Sequence, residues 1–353
     1  MTIVFAILLF SLLIFIHELG HFVAAKLSGV QVNEFAIFMG PAIFKKKIGE
    51  TEYSIRCIPI GGYCAMEGED EDSDNPRAFG RAKWWKRLII LVAGAAMNFV
   101  TGLLIFAILY LPGDQVVAPV ISEFTECCIF NTEDGLQLGD EILKLDGETI
   151  YVNNDISTIL GLNSTVKHDI TVLRDGKKLV FDDLEMAHTH TNENGEAYLH
   201  YGFAFGEIRK VNFLGKLDYV WKVSIDTVRM VRLSLQMLFR GQAGIQDLTG
   251  PVGIVQIMSE TAESAENAKD AVLNMLYFGG FIAINLAVMN LLPFPALDGG
   301  RVVALLLTTT IEGITKKKID PKYEGYIHGI GMVLLLALMA FVLFKDIFVI
   351  FKG

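Results

Sequence analysis

Four long apolar blocks alternate with polar stretches along the chain. They span Thr2–Ala25, Leu88–Leu111, Ala271–Leu297 and about Tyr326–Phe351. A helix needs about 20 apolar residues to cross a bilayer, and each block is long enough. The pattern therefore predicts a polytopic α-helical membrane protein with about four transmembrane helices.

The polar stretch between the second and third blocks predicts an inserted β-rich domain. The strand-like runs Asp169–Arg174 and Lys177–Phe181 flank Asp175-Gly176, a dipeptide that favours a tight hairpin turn. Further upstream, the segment 135–147 alternates turn residues with a short apolar strand. After this domain, apolar residues recur at helical spacing over 214–238 and predict an amphipathic helix. Such a helix lies on a membrane or against a partner helix, and packing against the spans explains the pattern equally well.

Glycine and proline mark two further polar segments. Glu52–Cys57 and Tyr63–Glu67 favour strands and flank Pro59-Ile60-Gly61-Gly62, so we expect these two runs to pair as a hairpin near the membrane. An unpaired edge there would accept an extended peptide by strand addition, although a purely structural hairpin explains the residues equally well. The second segment, Thr249–Ile254, is predicted to be a loop.

Lysine and arginine between the blocks predict the orientation of the chain. The stretches after the first and third blocks are rich in both residues, so the positive-inside rule places them in the cytoplasm and Pro112–Asp270 outside it. The first block lacks the basic start of a signal peptide and is interpreted as a retained span. The predicted boundaries are 1–26 (first span), 27–87 (cytoplasmic loop with a β-hairpin), 88–112 (second span), 113–206 (β-rich domain), 207–270 (extracytoplasmic amphipathic region), 271–298 (third span), 299–325 (cytoplasmic connection) and 326–353 (fourth span and C-terminus).

Composition supports a membrane protein and excludes one class of partner. Of the 353 residues, 52% are hydrophobic, and the mean hydropathy is +0.44. Such values are too apolar for a typical soluble domain. The net charge of −10 leaves no basic face for nucleic acid. The four cysteines have neither the spacing of a zinc site nor that of a disulfide framework.

The first apolar block contains the pattern His17-Glu18-Leu19-Gly20-His21. On a helix, His17 and His21 lie one turn apart on the same face, where two imidazoles can share a zinc ion with Glu18 as general base. The same short pattern also occurs on surface helices that bind no metal. Inside a membrane span, however, two histidines and a carboxylate need a compensating partner, so we expect these residues to have a functional role.

A third ligand has to come from elsewhere in the chain. The end of the third block contains Asn290, Pro293 and Pro295, and its prolines break the helix at membrane depth. Asp298 follows this break, where it either turns inward toward the metal or forms an ordinary Asp-Gly turn. A rival cluster of His188, His190 and His200 lies in a polar segment without helical spacing and is interpreted as a solvated loop.

Taken together, the two motifs resemble the site-2 protease family of intramembrane zinc metalloproteases. H-E-x-x-H in a first span, with N-x-x-P-x-P-x-L-D-G in a later one, is the pair of motifs that this family shares. The run Gly-Leu-x-x-Gly-Asp-x-Ile-x-x-x-Asp-Gly at 135–147 resembles the matching stretch of bacterial PDZ domains, so the β-rich domain at 113–206 is expected to be PDZ-like. The order of two spans, one PDZ-like domain and two spans is similar to the bacterial branch of the family, which includes the regulator-of-sigma-E proteases. Gly61-Gly62-Tyr63 and Gly250-Pro251-Val252-Gly253 also match that branch.

The resemblance implies a set of roles for the residues of this chain. His17, His21 and Asp298 would bind Zn²⁺, and Glu18 would be the general base. Asn290, with Pro293 and Pro295 in the same motif, would hold substrate near the metal, as would Gly61 and Gly62 in a membrane-associated β-loop. The expected location is the bacterial plasma (inner) membrane, with the N-terminus and the PDZ-like domain extracytoplasmic. The expected partners are the lipid bilayer, membrane-protein substrates that contain a transmembrane helix, and a peptide or protein at the PDZ-like domain.

Two other functions fit parts of the sequence. A non-catalytic membrane scaffold would use only the PDZ-like domain. A metal or ion transporter would use the broken helix and its carboxylate, although the first half of the chain contains no inverted repeat of the broken segment.

Overall fold

The computed structural model describes residues 2–69, 71–124, 135–163, 165–191, 197–242, 244, 250–316 and 322–352. The chain divides into two compact units, one formed by Met1–Ile105 with Met230–Gly353 and the other by Phe106–Arg229. The helices are α1 (Thr2–Ser28), α2 (Trp84–Tyr110), α3 (Asn154–Leu162), α4 (Phe213–Phe239), α5 (Pro251–Glu263), α6 (Ala268–Asn290), α7 (Asp298–Thr315) and α8 (Lys322–Lys352). The strands are β1 (Val32–Ile48), β2 (Thr51–Met66), β3 (Gln115–Phe124), β4 (Glu141–Leu145), β5 (Glu148–Thr149), β6 (Lys167–Arg174), β7 (Lys177–Glu185), β8 (His188–Thr191), β9 (Ala197–His200) and β10 (Phe203–Lys210).

Within the described part of the chain, four helices are long and apolar enough to cross a membrane, which confirms the predicted number. They are α1, α2, α6 and α8. The boundary of the third span differs from the predicted 271–298, because α6 ends at Asn290, ahead of the two prolines. Asp298 begins a separate helix, α7, which occupies much of the stretch predicted as a connection at 299–325.

Strands β1 and β2 form a long two-stranded sheet that differs from the predicted hairpin. The two runs 52–57 and 63–67 do not pair with each other. Instead, residues 34–37 of β1 have Cα partners on both sides, 52–55 on one and 62–65 on the other. The physical reason is that β1 and β2 both bend, at Gly40 and Gly61, which adopt φ values of 84° and 80°. The actual turn is Gly49-Glu50, which joins the paired residues Ile48 and Thr51.

The second unit contains a sheet with the strand order β10-β3-β4-β6-β7, and β5 pairs with β4. Helix α3 contributes Ile156, Ile159 and Leu160 to the apolar core of this unit. The hairpin predicted at Asp175-Gly176 is confirmed: β6 and β7 are joined there, and both turn residues have positive φ. The predicted loop around His188 is wrong, because β8 and β9 pair as a short two-stranded sheet.

The predicted amphipathic helix is present as α4. One face buries Val220 and Val223, whereas Leu217 and Trp221 remain exposed. The loop predicted at Thr249–Ile254 is wrong for the described residues after Gly250, since α5 begins at Pro251. Proline favours the first position of a helix, where its missing N–H costs nothing, and this explains the difference.

A buried group of charges lies where α4 meets the start of α3. The Arg229 guanidinium is 2.8 Å from the Asp155 carboxylate and also pairs with Asp226 one turn earlier. Asp155 additionally accepts hydrogen bonds from the backbone N–H groups of Tyr151 and Val152. Burial, together with the neighbouring charge of Asp155, raises the pKa of Asp226 to about 7. One arginine therefore balances two carboxyl groups, one of which holds its proton below about neutral pH.

We expect Asp226→Asn to flatten the pH dependence of folding stability. The pKa of Asp226 is higher in the folded protein than in the unfolded chain, so the folded state binds more protons between about pH 4 and 7. The stability that this group contributes is complete at low pH and is lost as pH rises through about 7, with a slope of at most about 1.4 kcal/mol per pH unit. Asparagine mimics the protonated carboxyl at every pH.

The measurement is the thermal unfolding midpoint of the full chain in detergent between pH 5 and 8. Between these values, the wild-type midpoint should fall more steeply with rising pH than that of Asp226→Asn. Asp218→Asn provides the matched control, because Asp218 lies on the same helix in an exposed pair with Lys222. Parallel curves for wild type and Asp226→Asn would contradict the raised pKa.

Candidate metal centre

His17, Glu18 and His21 lie on α1, a largely apolar helix that runs from Thr2 to Ser28. Both histidines are buried. Two glycines allow this helix to pack closely on α2. A Cβ at Gly20 would lie 2.5 Å from the Ala93 carbonyl oxygen, and a Cβ at Gly94 would lie 2.3 Å from His21 Nε2. The imidazoles therefore rest directly on the backbone of α2.

The three predicted ligand atoms converge on one point. His17 Nε2 and His21 Nε2 are 3.2 Å apart, and they lie 3.1 and 3.2 Å from Asp298 Oδ2. Three ligands bound to one zinc ion at about 2.0–2.1 Å in a tetrahedral arrangement lie about 3.3–3.4 Å from one another. The spacing of the three atoms therefore fits a single zinc ion.

The hydrogen bonding of the carboxylate supports the same conclusion. Asp298 Oδ2 is buried and has no hydrogen-bond partner other than the two imidazole nitrogens beside it, an environment in which an ion or water commonly satisfies the oxygen. Among the described residues, His17, His21 and Asp298 form the group of His, Cys, Asp or Glu side chains that can hold a metal. In the rival cluster, His188 and His200 are Cα partners across β8 and β9. The side chains of His188 and His190 lie outside the described part of the structure.

Asp298 reaches this point because the chain turns sharply between α6 and α7. The predicted site residues Pro293 and Pro295 lie in this connection, and Ala296 adopts a positive φ of 80°. Gly299 and Gly300 then let α7 pack on the connection, because a Cβ on either residue would come within 2.3 Å of a backbone carbonyl oxygen of Leu291, Leu292 or Phe294.

The other predicted residues surround the same centre. Asn290 Nδ2 is 3.4 Å from His17 Nδ1. His21 Nδ1 is 2.7 Å from the Ile90 carbonyl oxygen. Glu18 accepts a hydrogen bond from the backbone N–H of Cys64, and a Cβ at Gly62 would lie 3.4 Å from Glu18 Cγ. The segment 61–66 at the outer part of β2 therefore passes beside Glu18.

Two groups that shape this centre have no signal in the sequence. Gly94 stands in an apolar run where nothing in the sequence singles it out, and the Ile90 carbonyl belongs to the backbone, which residue types do not mark. The Gly-Gly pair after Asp298 was a visible signal of close packing, since a backbone that approaches another backbone needs a residue without a Cβ.

Comparison with known proteins bears on this site. Residues 5–338 match the model of peptidase family M50. A protein of Clostridium perfringens that is named as a zinc metalloprotease is 35% identical over 351 residues, covering 98% of both chains. The regulator of sigma-W protease RasP of Bacillus subtilis is 28% identical over 428 residues, again covering 98% of both.

These matches favour neither the scaffold nor the transporter alternative. The chain belongs to peptidase family M50, the site-2 protease family, and is a zinc-dependent intramembrane protease.

Proposed function

We propose that His17, His21 and Asp298 hold the catalytic zinc and that Glu18 moves the protons of peptide-bond hydrolysis. The observation that carries this assignment is the convergence of three ligand atoms, within 3.2 Å of one another, from residues on α1 and α7. A zinc ion bound there supplies a Lewis acid that polarises the scissile carbonyl and lowers the pKa of a bound water to about 7.

The second ring nitrogens fix the imidazoles in the orientation that ligation needs. His21 Nδ1 lies 2.7 Å from the Ile90 carbonyl, so this nitrogen carries the proton and leaves the Nε2 lone pair toward Asp298. His17 also has to keep its Nε2 lone pair free for ligation, so its Nδ1 carries the proton and requires an acceptor. Asn290 is 3.4 Å away, and its amide has to present oxygen to this N–H. Asn290 therefore positions His17, in addition to the substrate contact proposed for it.

Glu18 is placed to act in both halves of the reaction. Its carboxylate takes a proton from the attacking water as the oxygen adds to the scissile carbonyl carbon. It then delivers that proton to the nitrogen of the departing amine as the C–N bond breaks. The hydrogen bond from the Cys64 N–H holds the carboxylate beside strand β2.

The substrate we propose is a transmembrane helix of another membrane protein. Backbone carbonyls inside a helix are hydrogen bonded, so the segment around the scissile bond has to unwind before attack. The outer edge of β2 at Gly61 and Gly62 offers replacement hydrogen bonds by strand addition, next to Glu18. The name of the Bacillus relative links that protein to control of a sigma factor, and we extend this role to cleavage of an anti-sigma factor or a remnant signal peptide here.

The membrane arrangement that supports this role is multi-pass in a bacterial inner membrane. The lysines and arginines of 27–87 and 299–325 favour a cytoplasmic location for both. The N-terminus and the β-rich unit would then be extracytoplasmic. We assign the sheet of β10-β3-β4-β6-β7 with α3 as the PDZ-like domain that binds a peptide or protein partner.

Removing the carboxylate ligand tests the assignment. We expect Asp298→Ala to abolish most zinc binding, because two imidazoles alone hold zinc much more weakly than three ligands. The measurements are zinc per chain in purified protein by mass spectrometry, and cleavage of a membrane-anchored reporter. Asp218→Ala is the control, since this exposed carboxylate pairs only with Lys222 in the described structure. Unchanged zinc stoichiometry in Asp298→Ala would remove Asp298 from the ligand set.

A further inference from the structure

An ion pair joins the two elements that flank the metal centre. Arg301 lies one turn after Asp298 on α7, and its Nη1 pairs with Oε1 of Glu69, which follows the end of β2 by three residues. The two side chains are only 26% and 16% exposed. Residues separated by 232 positions in the chain thus connect the proposed substrate strand to the helix that carries the third ligand.

The Glu69 end of the pair is rigid. The backbone of Glu67, two residues earlier, is anchored by two hydrogen bonds. The Glu67 N–H donates to the Gln31 carbonyl oxygen at 3.0 Å, and the Phe79 N–H donates to the Glu67 carbonyl oxygen at 2.7 Å. Gly68 adopts a φ of 63°, and a Cβ there would lie 2.8 Å from the Ala78 Cβ. Glu69 is therefore presented from a turn that has little freedom to move relative to strand β2.

The Arg301 end is equally constrained. Gly299 and Gly300 leave no room between the first turn of α7 and the backbone of 291–295. A cation near the N-terminus of a helix is disfavoured by the helix dipole, and the carboxylate of Glu69 offsets this cost at Arg301. The pair consequently acts as a strut between two fixed points, the end of β2 and the start of α7.

We propose that the Glu69–Arg301 strut sets which peptide bond of the substrate is cut. This inference rests on the proposed function, in which the substrate adds as a strand to the outer edge of β2. Because Asp298 would help to hold the zinc, the offset between that edge and Asp298 then determines which carbonyl of the paired substrate lies at the metal centre. Because side chains alternate between the two faces of a strand, the favoured slips of register are by two residues, or about 6.6–6.8 Å. Glu69 and Arg301 are positioning residues that select the scissile bond.

The experiment maps the cleavage site in a membrane-anchored reporter by mass spectrometry, using purified full-length protein. Glu69→Gln and Arg301→Gln should each add cleavage two residues from the wild-type bond and reduce kcat/KM at that bond about 10-fold, with zinc content unchanged. The exchanged double variant, Glu69→Arg with Arg301→Glu, should restore the wild-type bond as the main site. Glu69→Asp, which keeps the charge and shortens the side chain, should show the same shift more weakly and serves where Glu69→Gln fails to fold.

Arg81→Gln provides the matched control, because Arg81 pairs with Asp74 in an exposed ion pair near the same turn. This variant should cut at the wild-type bond. If both Glu69→Gln and Arg301→Gln cut only at the wild-type bond, whatever their cleavage rates, the proposal would be overturned and the pair would have a purely structural role. Failure of the proposed function gives a different result, since Glu18→Gln in the same assay would then cleave as well as wild type.

Discussion

Glu18→Gln is expected to reduce cleavage of a membrane-anchored substrate by about 10²–10⁴-fold, the usual contribution of a general acid–base group. Glutamine cannot accept the proton of the attacking water or return one to the leaving amine. Its carbonyl oxygen can still accept the hydrogen bond that the Cys64 N–H donates to Glu18. The substitution therefore removes the proton transfer and leaves the packing of α1 against β2 in place.

The measurement is single-turnover cleavage by purified protein, with zinc content determined on the same sample. Zinc should remain at the wild-type level, because the proposed ligands are His17, His21 and Asp298. Glu263→Gln is a suitable control, since Glu263 lies on α5 and its side chain accepts from Ser259 at an exposed position. Cleavage within a factor of about two of wild type would exclude Glu18 as the proton carrier.

Features that depend on local periodicity were predictable from the sequence. The apolar blocks predicted four spans, because a bilayer sets a minimum helix length and the residues reveal where that length is met. The spacing of His17 and His21 predicted a shared helix face, and Asp175-Gly176 predicted the turn between β6 and β7. In each case the decisive interaction joins residues fewer than about ten positions apart.

Features that depend on distant partners were not predictable in the same way. Residues 34–37 of β1 have strand-forming neighbours on both sides, and the choice of partner depends on bends at Gly40 and Gly61 rather than on strand propensity. The approach of Asp298 to the histidines was suggested by the proline break, but its reach depends on the packing of Gly299 against Leu291. Neither the sequence around Glu69 nor the sequence around Arg301 predicts that these two residues pair.

Gly94→Ala is expected to disrupt the metal centre despite being a change of one methyl group on a different helix. The added Cβ would lie 2.3 Å from His21 Nε2 and 2.7 Å from His17 Cε1, so both imidazoles have to move. Alanine favours a helix by about 1 kcal/mol relative to glycine, and any loss therefore comes from the collision rather than from helix propensity. A displacement of about 1 Å at a reacting centre costs about 10²-fold in rate. We expect a loss of at least that size, together with weaker zinc binding.

Gly313→Ala is the matched control for this collision. Gly313 also lies within a helix, α7, and an added Cβ there meets no atom within 4 Å. The two variants thus make the same chemical change and differ only in what surrounds the new methyl group. Zinc affinity, measured by competition with a chelator, and cleavage rate should both fall in Gly94→Ala and stay at the wild-type level in Gly313→Ala. Wild-type zinc affinity in Gly94→Ala would mean that the imidazoles do not rest on the backbone of α2, and the proposed geometry of all three ligands would fail with it.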